Sequence, residues 1–93
     1  MSAQPAFPPA ASPEATCFSV HAPADASVMP RVMEIFAKRS LVPSRWYSTL
    51  DGPGGEELHI DIQITGLEPG MSERLAKLLR QLVCVETVLT SHR

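Results

Sequence analysis

The chain has 93 residues, of which 44% are hydrophobic and 19% charged, and a formal net charge of −2 at pH 7. One domain of this size covers only about 60–65% of the surface its unfolded chain exposes, so self-association or docking on a larger partner is an expected source of stability. The charge balance gives no basic footprint for nucleic acid or an anionic membrane. No apolar run reaches the ~18 residues of a membrane span, and the first residues lack the pattern of a secretory leader, so the expected location is cytoplasmic.

Residues 1–15, MSAQPAFPPAASPEA, combine Pro5, Pro8, Pro9 and Pro13 with a single aromatic, Phe7. Proline favours extended backbone and denies donors to a ladder, so this segment is expected to be a flexible tail and residues 16–93 the folded domain. From Thr16 to Ala22 the chain alternates, with Phe18, Val20 and Ala22 on one side and Cys17, Ser19 and His21 on the other: a first strand. A helix follows. Ser27 is the expected N-cap, because it leaves Pro30 at the third helical position, where a missing N–H costs nothing; a cap at Asp25 would move Pro30 to the fifth position and remove a helix bond. Val28, Val32, Ile35 and Phe36, with Met29 and Met33 beside them, form the apolar stripe, and Glu34 with Lys38 an i,i+4 pair on the outer side.

Val42–Leu50 reads as a second strand with Ser44, Trp46, Ser48 and Leu50 on one face; Pro43 near its start argues for an edge position. The stretch DGPGG, residues 51–55, is a turn. ELHIDIQIT, residues 57–65, alternates without a break and places Leu58, Ile60, Ile62 and Ile64 inward. A second helix is expected from Pro69, at its first position, with Met71, Leu75, Leu78, Leu79 and Leu82 on the buried face. A short strand from Val85 to Thr90 closes the order β-α-β-β-α-β. Right-handed crossovers around the central hairpin then give an α+β, ferredoxin-like sandwich: an antiparallel sheet of order 4-1-3-2 with both helices on one face.

The sequence holds no phosphate-binding glycine loop, nucleophile elbow, HExxH or zinc-spaced Cys/His set, so no catalytic residue, cofactor or metal is expected. Cys17 and Cys84 are read as reduced structural thiols, with a disulfide open only if their strands adjoin. On the uncovered face of the two central strands stand Cys17, Ser19, His21, His59, Asp61 and Gln63, without the aromatics of an RNA-binding sheet. Antiparallel pairing should bring His21 close to His59 with Asp61 near. Two histidines without a third ligand make a poor metal site, and the plain reading is two solvated or interface residues.

From Phe18 to Val88 the chain resembles the ACT domain, an effector-binding module of amino-acid metabolism. The likeness rests on ASVMPRVMEIFAKRSLVPSRWYST, and within it RVMEIF followed by KRSLV, and on LAKLLRQLVCVETV as the closing helix and strand. It is most similar to the short single-domain regulatory subunits of acetolactate synthase. The resemblance implies a non-enzymatic homodimer joined side by side into one sheet, modulating a catalytic large subunit in branched-chain amino-acid biosynthesis. It also implies a small amino acid lodged at the first strand–helix loop, here Ala24, Asp25, Ala26, Ser27 and Val28, with its carboxylate on the helix N-terminus. The loop departs from the family pattern: Ser27 stands where many ACT domains have Gly, Ala24 where effector-binding subunits carry Asn, and Asp25 adds negative charge where a carboxylate would lie. The alternatives are a free-standing amino-acid sensor and a ligand-free dimerisation module.

Overall fold

The computed structural model describes residues 15–92. Phe7 and the rest of residues 1–14 lie outside the described residues. Six elements follow in chain order: β1 (Ala15–Pro23), α1 (Val28–Ala37), β2 (Arg45–Asp51), β3 (Glu57–Thr65), α2 (Met71–Arg80) and β4 (Thr87–His92). The strands form one antiparallel sheet of order β2-β3-β1-β4, the arrangement expected of a ferredoxin-like fold. β1 therefore starts at Ala15, inside the segment read as tail.

Alternation decides the layers. Phe18, Val20, Ala22, Leu58, Ile60, Ile62, Ile64 and Val88 point to one face and are at most 4% exposed. Val28, Val32, Ile35 and Phe36 of α1, and Leu75, Ala76 and Leu79 of α2, close over them. Phe18 meets Phe36 edge-on at 6.0 Å between ring centres, which joins β1 to α1 at the middle of the core. Polar ties finish the packing. The Arg80 guanidinium donates to the Val88 carbonyl at 2.8 Å, fixing α2 on β4. Trp46 Nε1 donates to Ser48 Oγ at 3.0 Å, and Ser48 Oγ reaches Met29 Sδ at 3.6 Å, fixing β2 on α1.

The starts of three further elements differ from the sequence reading, each for a local reason. β2 begins at Arg45, not Val42, because Val42 stands in solvent at 84% exposure and pairing starts only where the Ser44 N–H meets the Gln63 carbonyl at 2.8 Å. Leu50 lies at the rim of the core face and stays 64% exposed. α2 begins at Met71, because Gly70, at φ 85°, takes the N-cap position in a left-handed conformation that Pro69 could not adopt; Pro69 is thus outside the helix. β4 runs from Thr87 to His92 and not from Val85: the Val85 N–H is held by the Leu82 carbonyl in the turn after α2, and pairing begins as the Glu86 N–H meets the His21 carbonyl at 2.8 Å. α1 ends without a glycine. Ser40 takes φ 57° there while the Leu41 N–H caps the Phe36 carbonyl at 3.0 Å.

Candidate functional site

Two places carry polar chemistry: the loop between β1 and α1, and the face of the sheet that no helix covers. In the loop, the Ala24 N–H donates to the Glu56 carbonyl at 2.9 Å, tying it to the β2–β3 hairpin. The Val28 N–H then closes a single turn on the Asp25 carbonyl at 3.0 Å. Asp25 Oδ1 accepts both the Ser27 N–H and the Ser27 hydroxyl, each at 2.9 Å. Ser27 precedes α1 as expected, with Pro30 third in the helix, but its side chain caps nothing. Asp25 instead holds the Ser27 amide and hydroxyl in a short turn upstream of the helix.

The electrostatics follow. The Ser27 amide first, then the Ser27 hydroxyl, hold the Asp25 carboxyl below its ordinary value; desolvation opposes them weakly and Arg31 adds a small attraction. Ala24, Asp25, Ala26 and Ser27 are exposed, whereas the Val28 side chain is fully buried in the core. Ala24, Asp25, Ala26 and Ser27 thus form the exposed loop and Val28 is the first residue of α1, and the Ser27 amide just ahead of the helix is already taken by a carboxylate of the chain itself.

On the open face, β1 and β3 pair residue for residue: Cys17 with Gln63, Ser19 with Asp61, His21 with His59. The two imidazoles stack at 4.3 Å between ring centres and 14° between planes, so the expected proximity of His21 and His59 is present. Parallel rings do not aim their nitrogens at a common point, and among the described residues no group of three or more His, Cys, Asp or Glu converges to hold a metal. Cys17 lies on this face while Cys84 packs against the core from the other side, and both are free thiols.

One cluster was missed at the sequence level. Ser19 Oγ lies 2.8 Å from His59 Nε2 and donates to Asp61 Oδ1 at 3.0 Å, and His59 Nε2 stands 3.3 Å from the same oxygen. Serine, histidine and aspartate are together, yet wired against hydrolysis. With the one Ser19 proton donated to Asp61, Ser19 Oγ faces His59 Nε2 as an acceptor, an arrangement in which the imidazole is not its base. Asp61 also touches Nε2 rather than the Nδ1 that an orienting acid would hold. The signal that could have found this trio was available: the pairing register that predicts His21 opposite His59 also puts Ser19 opposite Asp61. Beside it, Cys17, Arg45, Tyr47, Asp61, Ile62 and Gln63 line a cleft of about 200 Å³.

A family model described as "ACT-like domain" matches residues 11–92. Among curated proteins no significant relative is found. Among solved structures, the ACT domain of GTP pyrophosphokinase from Chlorobium tepidum superposes with a TM-score of 0.68 at 11% identity, covering 86% of this chain and 99% of that one. The solution structure of the same domain gives 0.67 at 10% identity, over 84% and 86% of the two chains. The C-terminal domain of the MgtC protein from Mycobacterium tuberculosis gives 0.67 at 13% identity, over 87% and 88%. At such identities these likenesses concern the fold.

Proposed function

The chain belongs to the family of ACT-like domains, and on that premise we propose that it is a non-catalytic regulatory subunit that works as a pair and modulates a catalytic partner. Members of this family are in general regulatory modules that bind ligands, and no catalytic family matches the chain. The partner we propose is a synthase of amino-acid biosynthesis, acetolactate synthase being the one the sequence resemblance favours.

One observation carries the choice of a partner-directed role over effector sensing at the strand–helix loop: Asp25 Oδ1 occupies the Ser27 N–H ahead of α1. A free carboxylate arriving at that amide would have to displace it and then sit beside its charge at the positive end of α1. Pairing is supported by the sheet order, which leaves the outer edges of β2 and β4 without a strand partner among the described residues. Such edges are places where a second copy can continue the ladder. The short chain's limited burial favours the same outcome.

The experiment is to express the chain with the acetolactate synthase of its own source, isolate the complex, and compare synthase turnover with and without it. Co-elution and a changed turnover are expected, together with a dimer mass by light scattering for the chain alone. A monomer that neither co-elutes nor alters turnover sinks the reading.

A further inference from the structure

We propose that the chain joins a second copy through the outer edge of β2, with Ser48 on the two-fold axis and Arg45 of each copy against Asp51 of the other. That the chain pairs at all rests on the regulatory reading above; the choice of edge, its register and the charges that fix it go beyond that reading.

The strand RWYSTLD is complementary to itself when reversed. Two strands related by a two-fold axis through a sheet run antiparallel, and directly opposed residues share a face, so the axis must pass at a residue and not between two. With Ser48 on the axis the whole strand is engaged. Arg45 then opposes Asp51, Trp46 opposes Leu50 and Tyr47 opposes Thr49, once on each side of the axis. Moving the axis to Tyr47 or Thr49 leaves part of each strand unopposed and separates the charges. Inside the chain those charges are unanswered. Among the described residues the ion pairs are Glu34–Lys38 and His59–Asp61, so Arg45 and Asp51 belong to none. Asp51 also stands opposite Glu57 of β3, and like charges directly opposed repel. A guanidinium on the other side of Asp51 relieves that repulsion.

The helix layer supplies a second, independent observation. α1 lies over β2, where Met29 Sδ meets Ser48 Oγ at 3.6 Å. Arg31, Glu34 and Lys38 line the furrow between α1 and α2, so Met33, one turn on from Met29, and Ala37 continue the opposite flank of α1, above the edge of β2. Met33 is exposed there, and so is Leu50 on the same side of the sheet. An axis at Ser48 turns the flank of one α1 toward its counterpart and sets each Leu50 beside the half-buried Trp46 of the other copy. Apolar area and charge therefore select the same edge. β4 offers much less: Thr87–His92 contains no Asp, Glu, Lys or Arg, and Leu89 is its one exposed large apolar side chain.

The test is sedimentation equilibrium of the full chain, with substitutions at exposed positions. Arg45→Asp and Asp51→Arg should each weaken the dimer about tenfold, because each turns both charge pairs into repulsions. Mixed in equal amounts, the two variants should form a heterodimer about as tight as the unaltered dimer, since every opposed pair is then Arg against Asp. The chain carrying both substitutions should recover in the same way by itself. Leu50→Glu should weaken the dimer at least about tenfold, while Leu89→Glu on β4 leaves it unchanged. The mixture also answers for folding, because a variant that had lost its fold could not be restored by the other. Three results overturn the edge and register while leaving a paired subunit standing: charge reversals without effect, a mixture that does not recover, or a dimer dissociated by Leu89→Glu and not by Leu50→Glu. A chain that stays monomeric at every concentration overturns the pairing as well.

Discussion

The two faces of the sheet are made by alternate residues of the same strands, yet they obey different physics. On the covered face, Phe18, Val20, Ile60 and Ile62 are entirely buried under α1 and α2. Their placement follows from removing apolar area from water, a force without direction that needs only the right period and enough volume. On the open face, Cys17, Ser19, His21, His59 and Gln63 are half-buried with no layer above them, sheltered only by one another. There the organising contacts are directional: one imidazole stack and one serine shared between a histidine and an aspartate. The covered face makes the domain stable. The open face has polar groups in fixed positions at little cost to stability, which leaves it available for recognition.

The largest test of this contrast sits on adjacent residues of β3. Ile60→Ala should cost about 3 kcal/mol in denaturant unfolding, because a fully buried side chain is replaced by a cavity. His59→Ala, one residue away on the other face, should cost about 1 kcal/mol or less, the loss of a stack and one hydrogen bond. Equal losses would show that the open face is covered in solution, by a second copy or a partner, and would break the comparison.

A smaller effect sharpens it. Ser19→Ala removes the hydroxyl between His59 and Asp61 and should lower stability by about 0.5–1 kcal/mol, the range of a partly exposed hydrogen bond. The more telling readout is the Asp61 side chain, whose NMR carboxyl signal should lose its ordered position once the hydroxyl no longer holds it toward β1. No change in that signal would mean that His59 alone fixes the carboxylate.

The smallest effect lies in the loop where the chain leaves the sheet for the covering helices. Asp25 is held below its ordinary value of 3.8, so its contribution to stability is present above that value and is lost as the pH falls through its lower folded value. Asp25→Asn keeps an oxygen acceptor for Ser27 but removes the charge. Stability near neutral pH should barely move, while the acid limb of the unfolding curve below pH 3.8 becomes shallower. An unchanged acid limb would mean that other carboxylates dominate it.

The elements most legible in the sequence were those where one pattern has no competitor. ELHIDIQIT alternates over its whole length, and β3 occupies the same residues, Glu57–Thr65. The order of the strands and the layer of helices followed from β3, its turn and two amphipathic stripes. The ends of elements were less legible because they depend on single backbone bonds. Gly70 and Ser40 accept left-handed conformations that set the start of α2 and the end of α1, and Ser27, at the N-cap position its spacing predicts, turns its hydroxyl to the Asp25 carboxylate and not to the helix. Of the open-face site, the facing histidines were readable from pairing, and the role of Ser19 was not. That role depends on which rotamer brings Oγ between His59 and Asp61, and a period of two says nothing of rotamers.

By itself the sequence determined which residues face inward, how many layers form and in what order the strands lie, because burial of apolar area is additive and periodic. Tertiary structure alone decided which polar groups meet: Asp25 with Ser27, and Ser19 with Asp61 and His59. Hydrogen bonds and ion pairs depend steeply on distance and angle, and those are fixed only once the strands are in register and the helices have closed one side.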